Sequence, residues 1–277
     1  MNDNHSYRPI IIDSHCHFGV GDGLTGPWDT RADISKYVIR AKRAGIDRTV
    51  LIPALSNDYT AGNLQIAEMI RKYPRKYDGY VSINPNRDRQ KVAAIVGKFV
   101  KGYGFTGMKI HHYNGTVTRE VCQTALRYNI PVLWDVGDDI GRVETVAAEY
   151  RTVRFIIPHL GSYGGNWSAQ KRCIDIVSRY PNVYSDTSGV RRFDLLEEAV
   201  VRAGAEKLLF GSDGPFHHPA VELEKIRQLN LSNGDVARIL AGNWLNITGR
   251  VRSRYRTLST APESTQLQLV RAGGVWE

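Results

Sequence analysis

Along the chain, short runs rich in Val, Ile and Leu alternate with longer stretches whose apolar residues recur every three or four positions. The short runs are "PIIIDSH", "RTVLIPA", "GYVSIN", "FTGMKIH", "IPVLWDV", "VRFIIPH", "NVYSDTS" and "KLLFGSD", eight in all, and each suits a buried strand. Between them lie "DISKYVIRAKRAG", "NLQIAEMIRKYP", "QKVAAIVGKFVKGYG", "REVCQTALRYN", "RVETVAAEYR", "QKRCIDIVSRYP" and "LLEEAVVRAGAE". These have helical spacing, and several end in Gly, Asn or Tyr-Pro stop signals. Two more helical stretches, "AVELEKIRQL" and "NGDVARILAGNWL", follow the eighth run. Continuous apolar strands alternating with helices predict an α/β protein with a parallel sheet. Eight such units predict a (β/α)8 TIM barrel. A doubly wound open sheet is the alternative, but its Gly-rich first turn is not matched by "GVGDGLTG", which no helix follows and which reads as a long loop. The barrel is expected over residues 1–249. Residues 250–277 mix Arg, Ser, Thr and Gly without periodicity and are expected to form a basic, extended or partly disordered C-terminal extension.

A barrel of parallel strands gathers its reactive groups at the carboxyl ends of the strands. The first run ends in His15 and His17, the fourth in Lys109 and His111, the fifth in Asp135, the sixth in His159 and the eighth in Asp213. Strand alternation puts Ile11, Asp13, His15 and His17 on one face, with Ile12, Ser14 and Cys16 on the other. By the same rule Lys109 and His111 share a face, Phe155 and Ile157 lead to His159, and Leu209 and Gly211 lead to Asp213. If those faces line the lumen, Cys16 turns to the helices and is excluded as a ligand. His15, His17, Asp135, His159 and Asp213 then form a borderline-to-hard divalent site, with zinc the default ion and manganese or iron the alternatives. Such an ion lowers the pKa of bound water or polarises a substrate carbonyl.

Composition narrows the class. The 277 residues are 42% hydrophobic and 23% charged, enough for one sizeable core. No apolar run approaches the roughly 20 residues of a membrane span. The polar start "MNDNHSYRP" lacks the apolar core of a signal peptide, so a cytoplasmic protein is expected. Cys16, Cys122 and Cys173 are too few and scattered for a disulfide framework or a Cys-rich zinc site. Of the formal charge of +9, the stretch from Gly249 contributes +3, five arginines against two glutamates. No dense basic block with interleaved aromatics occurs in the body, so neither nucleic acid nor membrane is expected as a partner. A small anionic substrate is expected instead, and homo-oligomerisation is left open.

The stretches "IIDSHCHFG" (D-x-H-x-H), "GMKIHH", "IPVLWDVG", "FIIPHLGSYGG", "LLFGSDGPF" and "ILAGNWLNITG" occur in this order over residues 10 to about 249. In this the chain resembles the amidohydrolase superfamily. More narrowly, it resembles the amidohydrolase-related branch that includes aminocarboxymuconate-semialdehyde decarboxylase and related hydrolases, hydratases and lactonases. The resemblance implies that His15 and His17 bind the metal. It implies that Asp213 ligates it or takes a proton from water, and that His159 is a second-site ligand or a catalytic acid/base. One departure stands out: the family commonly has a histidine ligand at the end of strand five, where this chain has Asp135. That carboxylate could ligate through oxygen, and ligation is the favoured reading. Lys109 lies where two-metal members carry a carboxylated lysine, but an unmodified lysine holding an anionic substrate group is favoured. His111, His217 and Arg191 are the other candidate substrate contacts, with surface or loop roles as the plain alternatives. Trp28 and Trp167 are candidates for the pocket wall.

The leading expectation is a metal-dependent hydrolase acting on a small amide, lactone or ester, with Asp213 and His159 as the catalytic acid–base groups. The first alternative is a metal-dependent lyase, a nonoxidative decarboxylase or hydratase of an aromatic or unsaturated acid. The second is a non-catalytic barrel without a stable metal.

Overall fold

The computed structural model describes residues 8–23 and 31–249. The C-terminal extension from 250 onward and Trp28 lie outside the described residues. The chain alternates strand and helix throughout: β1 (Ile12–Val20), β2 (Arg31–Ala32), α1 (Ile34–Ala44), β3 (Arg48–Pro53), α2 (Thr60–Lys72), β4 (Tyr77–Ile83), α3 (Val92–Tyr103), β5 (Gly107–Ile110), α4 (Arg119–Tyr128), β6 (Val132–Trp134), α5 (Gly141–Glu149), β7 (Phe155–Ile157), α6 (Trp167–Arg179), β8 (Val183–Asp186), α7 (Phe193–Ala203) and β9 (Leu208–Leu209). After β9 come α8 (Pro219–Gln228), α9 (Asn233–Ala237), a π-helical turn and α10 (Asn243–Ile247). The helix ends carry the chemistry that stops them. Asp33, Thr118 and Asn166 accept the first free N–H groups of α1, α4 and α6, while Gly45 and Asn129 turn left-handed after α1 and α4.

The sheet order is β2-β1-β3-β4-β5-β6-β7-β8-β9. Eight of these strands are the eight apolar runs, each parallel to the next. The extra strand, β2, lies antiparallel on the end of β1, and no apolar run announced it. Regular ladder pairing does not extend from β9 to β1. Single hydrogen bonds span that seam: Ser14 N–H to Phe210 O (3.0 Å), Asp213 N–H to His15 O (2.8 Å) and His17 N–H to Gly214 O (2.5 Å). The seam therefore brings the segment after β9 directly against the two histidines of β1.

Alternation splits the core in two. Ile12, Val50, Ile52, Tyr80, Leu133, Ile156 and Leu209 fill the lumen together with Ala241, Trp244, Leu245 and Ile247. Trp244 donates its indole N–H to the Tyr80 hydroxyl (2.9 Å), which ties the C-terminal helix into the barrel. The opposite faces, among them Cys16, Leu51, Met108, Ile110, Trp134, Phe155 and Ile157, pack under the helices. Two faces differ from those that strand alternation predicts. In β1 the lumen residue is Ile12, not Ile11, because three residues of β1 (Asp13 to Cys16) span two of β3 (Thr49 to Leu51), a bulge that changes the face. In β7 the lumen residue is Ile156, while Phe155 and Ile157 face the helices.

Candidate metal centre and active site

The bulge brings His15 and His17, which share a face as alternate residues, round to the lumen side. Asp13, ahead of the bulge and next to the lumen residue Ile12, faces outward, where its carboxylate accepts from Tyr37 Oη (2.6 Å), Ser212 N–H (2.8 Å) and Ser212 Oγ (2.5 Å). Burial pushes this carboxyl up to about 6, against the pull of those donors. Asp13 thus staples β1 to the residue preceding Asp213. Asp213 itself sits at φ +55°, a left-handed conformation that costs a non-glycine residue roughly 1–3 kcal/mol. That turn sends its carboxylate to the histidines. His15 Nε2 and His17 Nε2 are 3.3 Å apart, and Asp213 Oδ1 is 3.5 and 3.2 Å from them.

What orients the imidazoles decides their chemistry. His15 Nδ1 lies 2.8 Å from Asp186 Oδ2 and His17 Nδ1 lies 3.4 Å from the Pro53 carbonyl oxygen. Both partners are acceptors, so both Nδ1 atoms carry hydrogen and both Nε2 atoms present lone pairs. Burial lowers His15 to about 4 despite Asp186, so it is neutral at pH 7. Three electron-rich atoms then meet with no donor between them. A proton on His17 or a cation among the three relieves that repulsion. A tetrahedral ion with bonds of about 2.0–2.1 Å sets its ligands about 3.3–3.4 Å apart. The near-equilateral triangle of His15 Nε2, His17 Nε2 and Asp213 Oδ1 has that size, so the donor set fits a divalent ion.

His159 stands beside this triangle, with its ring centroid 5.2 Å from that of His15. It does not arrive by strand alternation. His159 (φ +60°) and Leu160 (φ +50°) are consecutive left-handed residues after β7, and they swing the imidazole inward. Its Nδ1 donates to Ser188 O (2.8 Å), which leaves Nε2 as an acceptor.

Asp186, at the end of β8, holds the assembly together and was missed in the sequence. One oxygen takes the His15 Nδ1–H; the other takes the His159 backbone N–H (3.0 Å) and the Ser188 hydroxyl (2.6 Å). Burial would raise this carboxyl, but the His15 imidazole beside it and the hydrogen bond from its Nδ1 hold it at about 2. The signal was present: "NVYSDTS" ends in a carboxylate at the same end as the other strands.

Asp135 does not join the triangle. Its Oδ2 lies 3.1 Å from His111 Nε2 and 3.0 Å from His112 Nδ1, and Oδ1 accepts the Gly137 N–H at 3.0 Å. These form a second group of two imidazoles and a carboxylate. Here His111 Nδ1 accepts from the Tyr113 N–H (3.4 Å), which places the hydrogen on Nε2, facing Asp135. The carboxylate is already met by donors. Lys109, 3% exposed, shares the lumen face of β5 with His111, and its charge helps hold Asp135 ionised. Of the remaining candidates, His217 bonds Tyr163, and Arg191 is exposed on the loop after β8. Its neighbour Arg192 lies over the Trp167 ring, 4.5 Å from the centroid.

A barrel of parallel strands with buried histidines and carboxylates converging at the carboxyl ends defines a class of candidate metal-dependent enzyme. The family model described as amidohydrolase matches residues 12–243, and the chain belongs to that family. None of the curated proteins matches the sequence. Among solved structures, an amidohydrolase from Burkholderia multivorans with bound zinc superposes with a TM-score of 0.71 at 15% identity, over 87% of this chain and 99% of that one. A dihydroxybenzoic acid decarboxylase from Polaromonas sp. JS666, with bound manganese and the inhibitor 2-nitroresorcinol, gives 0.69 at 17% identity over 90% and 100%. A 2,6-dihydroxybenzoate decarboxylase from Rhizobium gives 0.67 at 14% identity over 87% and 99%. At such identities the likeness establishes the TIM-barrel fold. Among the described residues no helix is long and apolar enough to cross a membrane.

Proposed function

We propose that the protein is a metal-dependent lyase that decarboxylates a small hydroxylated aromatic acid without an oxidant. The observation that carries the reading is the triangle of His15, His17 and Asp213, three convergent acceptors, with buried Lys109 near enough for its charge to act on His15. Likeness to decarboxylases supports the choice of reaction. His15, His17 and Asp213 would hold the ion, zinc or manganese by its donor set. When bound, the ion supplies a Lewis acid for the anionic oxygens of the substrate.

The chain's own groups do the rest. Lys109, on the lumen face, is suited to anchor an anionic oxygen of the acid. His159 Nε2, outside the triangle, can hold a proton and deliver it to the ring carbon bearing the carboxylate. The C–C bond to that carboxylate then breaks, its electron pair returns to the ring, and carbon dioxide leaves. Tyr113 and Tyr163, on the segments after β5 and β7, and Trp167, at the start of α6, are 56, 48 and 55% exposed and offer flat apolar surface.

Hydrolysis is the second reading, favoured by the placement of Asp213 and His159 on neighbouring sides of His15, a pair able to take a proton from water and pass it to a leaving group. One experiment separates the two. Protein loaded with zinc or manganese is offered 2,6-dihydroxybenzoate and 5-carboxyvanillate, and in parallel a set of lactones and esters. Carbon dioxide release from the acids supports the lyase; turnover of the lactones or esters alone overturns it in favour of hydrolysis.

A further inference from the structure

The seventh apolar run, "NVYSDTS", ends on a hydroxyl, that of Ser188, which the proposed reaction does not yet use. Ser188 is wholly buried, two residues past Asp186. Its hydroxyl is a junction. Oγ lies 2.6 Å from Asp186 Oδ1, 3.0 Å from His159 Nδ1 and 3.3 Å from His15 Nδ1. Its carbonyl oxygen lies 2.8 Å from the same His159 Nδ1. Gly189 follows at φ +63°, and a Cβ there would lie 3.4 Å from that nitrogen, so the main chain runs close against the ring.

Each direction in this junction is fixed by a group that can only accept. The Asp186 carboxylate accepts, so the one hydrogen of the Ser188 hydroxyl goes to Oδ1. The Ser188 carbonyl accepts, so His159 Nδ1 carries a hydrogen, which Ser188 O and Oγ share. An ionised partner on the far side of the hydroxyl makes Oγ a stronger acceptor. Nδ1 keeps its hydrogen whether Nε2 is bare or protonated, so the ring holds one orientation through a proton transfer at Nε2. Asp186 does not need the hydroxyl to stay in place. It also takes the Nδ1–H of His15 (2.8 Å) and the backbone N–H groups of His159 (3.0 Å) and Ser188 (3.1 Å). What the hydroxyl adds is a link between that carboxylate and the imidazole of His159.

We propose that Ser188 is a positioning residue, whose hydroxyl, polarised by Asp186, holds the His159 imidazole with Nε2 toward the reacting ring carbon. This rests on the reading of the protein as a decarboxylase in which His159 delivers the proton. In that step the hydrogen passes from Nε2 to the ring carbon, and His159 is left neutral with its Nδ1 hydrogen in place.

The test uses the manganese-loaded full chain and resorcinol, the phenol that 2,6-dihydroxybenzoate leaves when carbon dioxide departs. In D2O a deuteron from His159 Nε2 adds to the carbon between the hydroxyls, and the hydrogen already there returns to Nε2. Deuterium uptake therefore reads the proton transfer without decarboxylation. Ser188→Ala should slow this exchange, and carbon dioxide release from 2,6-dihydroxybenzoate, by about 10–100-fold. Bound manganese and the calorimetric affinity for 2-nitroresorcinol should not change. His159→Gln should slow exchange further, and adding Ser188→Ala to it should cost nothing more, because no imidazole is left to hold. A merely structural serine would cost the same in both backgrounds. Unchanged exchange in Ser188→Ala, equal loss in both backgrounds, or loss of manganese or of 2-nitroresorcinol binding overturns the assignment while leaving the decarboxylase reading standing. A wild type that neither exchanges resorcinol nor releases carbon dioxide removes that reading and this assignment with it.

Discussion

Two groups at the mouth of the barrel have the same composition, two imidazoles and one carboxylate, and opposite electrostatics. In the first, His15, His17 and Asp213 turn three acceptors toward one another. In the second, His111 and His112 turn N–H groups toward Asp135. The ligating atoms do not explain the difference; the far nitrogens of His15, His17 and His111 do. Asp186 and the Pro53 carbonyl take a hydrogen from His15 and His17 on the remote side, so the near side is bare. The Tyr113 amide gives a hydrogen to His111 on the remote side, so the near side is protonated. A cluster of metal-binding residue types is therefore a metal site only when its outer partners leave the lone pairs pointing inward.

The largest expected effect sets the two groups against each other directly. His17→Ala or Asp213→Asn should lower bound zinc or manganese from about one ion per chain to a trace, measured by elemental analysis after gel filtration. Turnover should go with the ion. Asp135→Asn should retain the ion. Loss of metal in Asp135→Asn with retention in Asp213→Asn would invert the comparison.

Next in size is the outer partner of the first group. Asp186→Asn can no longer hold the hydrogen of His15 on Nδ1 by charge. Metal affinity should fall by about 10–100-fold, read by competition with a chromogenic chelator, with the stoichiometry at saturation unchanged. An unaltered affinity would mean that His15 is oriented by packing alone.

How much of this was legible in the sequence differs between strands and strand ends. The eight apolar runs were legible because each parallel strand is buried on both faces and needs no alternation to be seen. The faces were harder. The β1 bulge reverses the alternation between Ile12 and His15, and a bulge of one residue leaves no mark in an apolar pattern. His15 and His17 were placed side by side correctly, but with Ile11 and Asp13 wrongly beneath them. His159 reaches the site through two left-handed residues, a conformation that neither His nor Leu advertises. Asp135 was expected at the metal because its place along the strand is right. Its tautomeric surroundings, set by a backbone amide two residues from His111, belong to the folded loop and not to any motif.

The second group has its own, smaller consequences. Asp135→Asn keeps the shape and removes the charge that three donors face. It should destabilise the fold by about 1–2 kcal/mol in urea melts, since three partly exposed donors lose an ionised acceptor. His112→Ala, which removes one donor at a more exposed position, should cost less.

The smallest effect is a slope. Burial lowers His111 from 6.5 to about 3, the pull of Asp135 notwithstanding, so the folded chain refuses a proton that the unfolded chain accepts. Between those two values the unfolded state binds more protons, and stability therefore falls as pH falls. Replacing the imidazole by an amide, His111→Gln, keeps a donor toward Asp135 and abolishes the titration. Relative to this variant, the wild type should lose about 1.4 kcal/mol between pH 8 and pH 5.5, measured by urea melts at each pH. Parallel curves for the two proteins would mean that His111 takes up a proton in the folded state as readily as in the unfolded one. A doubly protonated His111 would not need the Tyr113 amide to choose its tautomer, and the contrast between the two groups would lose its physical basis.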